Sequence, residues 1–242
     1  MSTHWRNAAA WPAWRAIPLV AGAALLTLSG CSSLLGPSVT PTAVFYSLDG
    51  PPGPVANLLA VVGPAAATLP ALVVAAPRAA AGFDSQRIMY VREQHKLEYF
   101  AHSEWVEPPA RLITPLLVGT LQATGAFRAV VLAAGAAAGE LRLDTEIIRL
   151  QQDFRVRPSR VVFVLRATLV EDRTRRVVGQ REFESQVAAA SDDPYGGVVA
   201  ANRAVQAVLN DLARFCTEAA RAMPLPVPVP TGVAPRAGPP TP

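Results

Sequence analysis

Leu141-Arg142-Leu143-Asp144-Thr145-Glu146-Ile147-Ile148 decides the fold class. Leu141, Leu143, Thr145 and Ile147 alternate with Arg142, Asp144 and Glu146, the two-residue period of a strand with one dry and one wet face. The same pattern returns twice downstream. Val161, Phe163, Leu165, Ala167 and Leu169 alternate with Arg166 and Thr168, and Val162 and Val164 make the start of this run apolar on both faces. After the turn residues Asp172-Arg173-Thr174, Val177, Gly179, Arg181, Phe183, Ser185 and Val187 alternate with Gln180, Glu182, Glu184 and Gln186. Three such strands joined by short polar loops predict an antiparallel meander.

Beyond the meander, Asp192-Asp193-Pro194 announces a helix with an Asp cap and proline in its first turn. Val198, Ala201, Val205, Val208, Leu212, Phe215 and Cys216 fall on one face of it, and Arg203, Gln206, Asn210, Arg214 and Glu218 largely on the other. From Pro224 to Pro242, eight of nineteen residues are proline, a composition that predicts an extended or disordered tail.

Upstream of the meander the pattern is less regular. Val44 to Leu48 and Leu72 to Ala76 have strand length and composition, and the Gly/Pro/Ala-rich stretch 50–71 between them reads as a long irregular connection in which Leu58 to Val62 fits either packed coil or a short helix. Residues 78–86 read as a connection with one helical turn at Arg78 to Ala81. Arg87 to Arg92 and Lys96 to Ala101, split by Glu93-Gln94-His95, predict a hairpin. Pro108-Pro109 opens a helix in which Leu112, Ile113, Leu116, Leu117, Leu121 and Thr124 recur at helical spacing and which Gly125 stops. Pro115 in its second turn is tolerable if the helix starts near Arg111 or bends. Phe127 to Leu132 is a further strand, followed by a linker over 133–139. The sum is a single α+β domain over about residues 44–222, with an antiparallel or mixed sheet of about seven strands and two main helices packed on one face.

The N-terminus carries an address. Arg6 and Arg15, an apolar run from Ile17 to Leu28, and the small pair Ser29-Gly30 form the three parts of a secretory signal over residues 1–30, with nothing acidic among them. A run of about a dozen apolar residues is short of the ~20 that a membrane-spanning helix needs. Leu28-Ser29-Gly30-Cys31 resembles the lipobox of bacterial lipoproteins, which implies acylation of the Cys31 thiol, cleavage before it, and a flexible tether over residues 31–43. By the same resemblance, Ser32 after the cysteine implies the outer membrane of a Gram-negative cell.

Composition narrows the function classes. Arg6 and Arg15 leave with the signal, so 20 basic residues face 18 acidic ones and the excess is +2. Lys96 is the sole lysine and no run of five like charges occurs, which argues against nucleic acid as a partner. With Cys31 acylated, Cys216 has no partner in the chain, and its place on an apolar helix face reads as a small buried hydrophobe. His95 and His102 flank a strand at an odd separation, which points them to opposite faces and away from a shared metal. Glu104 and Glu107 around Trp105 read as solvated charges, and Asp192-Asp193 as a helix cap. No phosphate loop, dinucleotide fingerprint, nucleophile elbow or metal-binding cysteine pair is present, so the reading carries no catalytic residue, cofactor or metal and favours a binding role over an enzyme. The aromatic residues Tyr90, Tyr99, Phe100, Trp105 and Phe127 crowd into one stretch: core for the most part, and a candidate partner or lipid surface for the rest.

In order and spacing, Tyr46-Ser47-Leu48, Arg87-Ile88-Met89-Tyr90, Leu97-Glu98-Tyr99-Phe100-Ala101, Trp105 with Pro108-Pro109, Gly125-Ala126-Phe127 and the helix entered through Asp192-Asp193 resemble the ABC-type transport auxiliary lipoprotein family. The resemblance spans roughly residues 44–216; the stretch 50–71 and the Pro-rich tail match it poorly. It implies a periplasmic lipoprotein that binds and tethers within an ABC-powered lipid transport system. Its partners would be an MCE-domain protein, the transporter subunits and the outer membrane, with phospholipid contact and homo-oligomerisation compatible with that role. The competing readings are a structural or regulatory envelope lipoprotein, such as an activator of a cell-wall enzyme, and a lipid-anchored hydrolase.

Overall fold

A computed structural model describes residues 42–49, 69–133 and 139–223. The signal, Cys31, the tether as far as Pro41, Leu58 to Val62 and the Pro-rich tail lie outside the described residues. The strands, in chain order, are β1 (Val44–Tyr46), β2 (Leu72–Val74), β3 (Arg78–Ala79), β4 (Arg87–Glu93), β5 (Lys96–Trp105), β6 (Val130–Leu132), β7 (Leu141–Asp153), β8 (Arg160–Glu171) and β9 (Arg176–Ala188). The helices are α1 (Pro109–Ala123) and α2 (Pro194–Arg221).

β7 is the spine of the sheet. On one side it runs antiparallel to β8 over its whole length, from Leu141↔Glu171 to Asp153↔Arg160, and β8 pairs likewise with β9, giving the meander. On the other side three short strands, all parallel to it, dock in succession: β2 along 141–143, β3 along 146–147 and β4 along 151–153. β6 adds outside β2, while β5 and then β1 add outside β4, so the sheet is mixed.

Alternation drives β7, and one irregularity redirects it. Leu141, Leu143, Thr145 and Ile147 are buried. A bulge between Ile147 and Arg149 then shifts the parity, so that Leu150 joins the core while Arg149 is exposed. The strand therefore continues to Asp153, five residues past the stretch whose period is legible. The sheet also holds nine strands among the described residues rather than about seven. β3 stands where a helical turn was expected. Its alanine-rich neighbourhood favours helix, but the Ala80 N–H donates to the Ile147 carbonyl at 2.8 Å and the Ala75 N–H to that of Leu143 at 2.9 Å. The free edge of β7 overrides propensity there. β5 runs on to Trp105 past a bulge in which it advances five residues, 99 to 104, for two of β4. β6 starts only at Val130, and Phe127 makes a single bridge to Leu69.

Both helices pack on one face of the sheet. α1 buries Pro109, Ile113, Leu117 and Leu121, and starts at Pro109 with no side-chain cap. Pro115 stays inside it on the exposed side, and Gly125 ends it at φ +60°. α2 is capped as its sequence predicts: the Asp193 carboxylate accepts the Gly196 N–H at 2.7 Å, with Pro194 at the first position. Every member of the predicted stripe from Val198 to Cys216 is buried. Phe215 reaches the sheet because Gly179 on β9 makes room, since a methyl there would sit 3.0 Å from the ring. The core joins Leu72, Val74, Phe163, Leu165 and Leu169 of the sheet to Ile113, Leu117, Leu209 and Leu212 of the helices, and full burial of each such side chain contributes about 1.5–3 kcal/mol.

Two ties complete the domain. Asn202 on α2 accepts the Asp49 N–H at 2.7 Å and donates to the Ser47 carbonyl at 3.3 Å, holding the chain as it leaves β1. Cys216 is buried on α2, and burial pushes its thiol up to about 12. With so little thiolate at neutral pH, Cys216 should resist a soluble thiol reagent in the native protein and react fully in denaturant. Titration of free thiol with and without guanidinium checks this.

Candidate functional site

The sequence-predicted aromatic residues separate into three environments. Trp105 (3 % exposed) and Phe127 (6 %) belong to the main core. Tyr90 faces the helix side near the end of β4 and is buried in a cluster of its own, 4.6 Å from Phe100 and 5.7 Å from Phe154 between ring centroids, with the Arg92 guanidinium 4.8 Å above its ring. Tyr99 is 47 % exposed on the opposite face, under the Arg87 guanidinium at 4.1 Å. The five do not share a surface. Phe154 was missed because it stands alone in the polar stretch between β7 and β8, without a period to mark it.

Below that cluster lies a polar knot. Asp153 is 1 % exposed and receives Arg155 in a two-point clasp, Nε at 2.8 Å and Nη2 at 2.9 Å, with Arg160 at 3.6 Å. The Gln152 amide donates to the Ser159 hydroxyl at 2.9 Å, and the Ser159 N–H donates to Asp192 at 2.8 Å, tying the β7–β8 loop to the entrance of α2. A methyl at Gly197 would come within 2.1 Å of Gln152 Oε1, so glycine lets α2 settle onto this knot. The Arg155 hydrogen bond holds the Asp153 carboxyl below the ordinary carboxylate range. A lowered folded-state value contributes stability above the unfolded value of about 3.9 and loses it as pH falls through the folded one. Asp153→Asn should therefore destabilise the domain at pH 7, and the gap to the parent should shrink below about pH 4; denaturant midpoints across that range measure it.

None of this is catalytic machinery. Asp153 is already paired on both oxygens, Glu107 pairs with Arg111 at 3.2 Å, and Asp192 and Asp193 are spent on loop and cap. His95 lies in the β4–β5 turn at φ +66° rather than on the strand, so strand parity does not govern it; it and His102 are both exposed. Among the described residues no group of three His, Cys, Asp or Glu side chains converges as metal ligands, and no helix is long and apolar enough to cross a membrane.

An open groove of about 730 Å³ lies between α1 and α2, floored by small side chains, Gly119 and Ala123 on one wall and Ala213 and Thr217 on the other. Gln206, Asn210, Arg214 and Arg221 supply its polar rim. Such a surface offers shape and a few hydrogen bonds, not reactive groups.

The family model that matches is the ABC-type transport auxiliary lipoprotein component, over residues 46–213, from β1 to the last third of α2. This chain belongs to that family. The auxiliary lipoprotein is accordingly an auxiliary component of ABC-type transport. Its fold is shared with solved proteins of low sequence identity. The crystal structure of protein XCC0632 from Xanthomonas campestris is 22 % identical and superposes with a TM-score of 0.63, over 74 % of this chain and 97 % of that one. A second crystal structure, described only as an uncharacterized protein, is 14 % identical with a TM-score of 0.56, over 72 % of this chain and 99 % of that one. No curated protein matches the auxiliary lipoprotein by sequence.

Proposed function

We propose that the protein is held by an acylated Cys31 at the periplasmic face of the outer membrane. There it serves as the docking component of an ABC-powered system that moves lipid between the two membranes, with an MCE-domain protein as its direct partner. The family match over 46–213 carries this reading. The lipobox-like Leu28-Ser29-Gly30-Cys31 supports it, as does the absorption of Asp153 and Glu107 in ion pairs with Arg155 and Arg111. The role is to bind and to hold, with Cys31, the tether over 31–43 and the domain as successive links.

The test is co-purification. The lipidated protein, extracted in mild detergent from cells grown at normal expression, should bring down an MCE-domain protein or a transporter subunit in a stable ratio. If repeated extractions recover none, or recover a cell-wall synthase instead, the transport reading fails in favour of a regulatory envelope lipoprotein.

A further inference from the structure

The two halves of the sheet present different surfaces to the side away from the helices. Across the meander that face is ionic: Arg166 of β8 bridges Glu146 at 3.3 Å and Glu182 at 3.1 Å, and on β7 Arg142 pairs with Asp144 at 3.1 Å. Across β4, β5 and β1 it exposes apolar side chains, with Arg87 and Glu104 among them. Pairing register places Phe45 beside Glu104, Glu104 beside Arg87, Tyr99 beside Met89 and Leu97 beside Val91, all on this one face. Phe45 is 56 % exposed, Tyr99 47 % and Leu97 43 %. Among the described residues nine large hydrophobic side chains are exposed, and three of them, Phe45, Leu97 and Tyr99, share this face, while Val44 alternates with Phe45 onto the other. The concentration marks a surface rather than the usual scatter of single apolar residues.

We infer that Phe45, Leu97 and Tyr99, with Arg87 over the tyrosine ring, rest on the phospholipid surface to which Cys31 is attached. The inference depends on the lipid-anchor reading above. Position argues for it first. The chain outside the described residues enters the fold at β1, and Phe45 is its second strand residue. Thirteen residues from Cys31 to Val44 reach at most about 45 Å, so this sheet edge cannot leave the neighbourhood of the bilayer. A contact too weak to hold the domain from solution becomes effective once the tether makes it intramolecular. Chemistry argues for it second. Phenyl and phenol rings, and an arginine whose guanidinium caps the phenol ring, suit the headgroup boundary, where an apolar body and a polar tip are both satisfied. Charge names the lipid. On this face Arg87 stands beside Glu104, and Lys96 and Glu98, which alternate with Leu97 and Tyr99, pair with each other at 3.7 Å, so no excess of cations selects an anionic surface and the contact should be salt-insensitive on zwitterionic lipid.

The experiment places a reporter at the face. Trp105 is the only tryptophan after Cys31 and is buried, so Phe45→Trp, Tyr99→Trp and, at the far edge of the sheet, Val177→Trp each add one exposed probe to a constant background. Each mature, lipidated full-length variant is reconstituted in phosphatidylcholine vesicles whose acyl chains are brominated near the headgroup. Quenching of the added emission should be about twofold or more greater for Phe45→Trp and Tyr99→Trp than for Val177→Trp, and unchanged by added salt. Equal quenching at the three positions, in vesicles that still float with the protein, overturns the inference and leaves the anchor standing. Probes at Phe45 and Tyr99 already shielded in detergent, with no change on vesicles, overturn it in favour of a protein partner. A chain that does not float at all removes the anchor and this contact together.

Discussion

Trp105→Ala should lower the stability of the domain by about 3–5 kcal/mol. Total stability of a domain is about 5–15 kcal/mol, so the loss is a large share of it. The indole ends β5, where its backbone N–H donates to the Gln86 carbonyl at 2.7 Å and its register partner is Tyr46. It fills the space between Ile88, Leu150, Val161 and Ala201, and the void left among them, about 10 Å³, has room for no more than one water. Removing the indole opens a cavity that the sheet and α2 cannot both close on, since α2 is already seated through Gly197 on Gln152. Urea unfolding followed by far-ultraviolet circular dichroism gives the answer as a drop in midpoint at unchanged slope. A drop worth less than about 1 kcal/mol would remove Trp105 from the core, because a buried aromatic truncated to alanine costs several times that. The same reasoning predicts little stability loss for Tyr99→Ala, whose ring is half exposed.

On the lipobox reading, Cys31→Ala should abolish acylation outright, because the thiol would be the group that takes the lipid and alanine offers no nucleophile. The expected products are an uncleaved precursor, slower on a gel by the mass of residues 1–30, and the loss of fatty-acid label and of recovery with the outer membrane. Domain stability should be unchanged, as Cys31 lies outside the described sheet and helices. Normal processing and normal fractionation of this variant would defeat the lipobox reading, and with it the docking surface assigned to Phe45, Leu97 and Tyr99.

Legibility in the sequence followed the range of the forces at work. The meander and α2 were readable because each buries one face, and burial of one face writes a period into the chain: two residues in β8 and β9, 3.6 in the stripe from Val198 to Cys216. Where the geometry depends on a neighbour, the pattern was silent. The bulge after Ile147 changes which parity faces the core, so Leu150 and Asp153 lie beyond the legible stretch. β3 is a strand only because β7 presents it with an edge. The aromatic stretch was visible as composition, but proximity in sequence placed Trp105, Tyr99 and Phe100 on two sides of one strand with a bulge between them. Phe45 escaped the sequence reading as a surface residue because an apolar residue in a strand reads as core, and only the pairing of β1 with the outer edge of β5 shows its ring in the open. Family membership was legible because it rests on the order of short motifs from Tyr46 onward rather than on any one of them.

The spine position of β7 sets a timetable for the chain. β2, β3 and β4 precede β7 in sequence, yet all three depend on it for their inner hydrogen bonds. Export delivers the N-terminus first, so the first half of the domain emerges with its docking edge still inside the cell. Non-local pairing of this kind is slow, and unpaired strands exposed meanwhile are prone to aggregate. The inner edge on which β2, β3 and β4 settle is complete only once Leu141–Asp153 has followed them out.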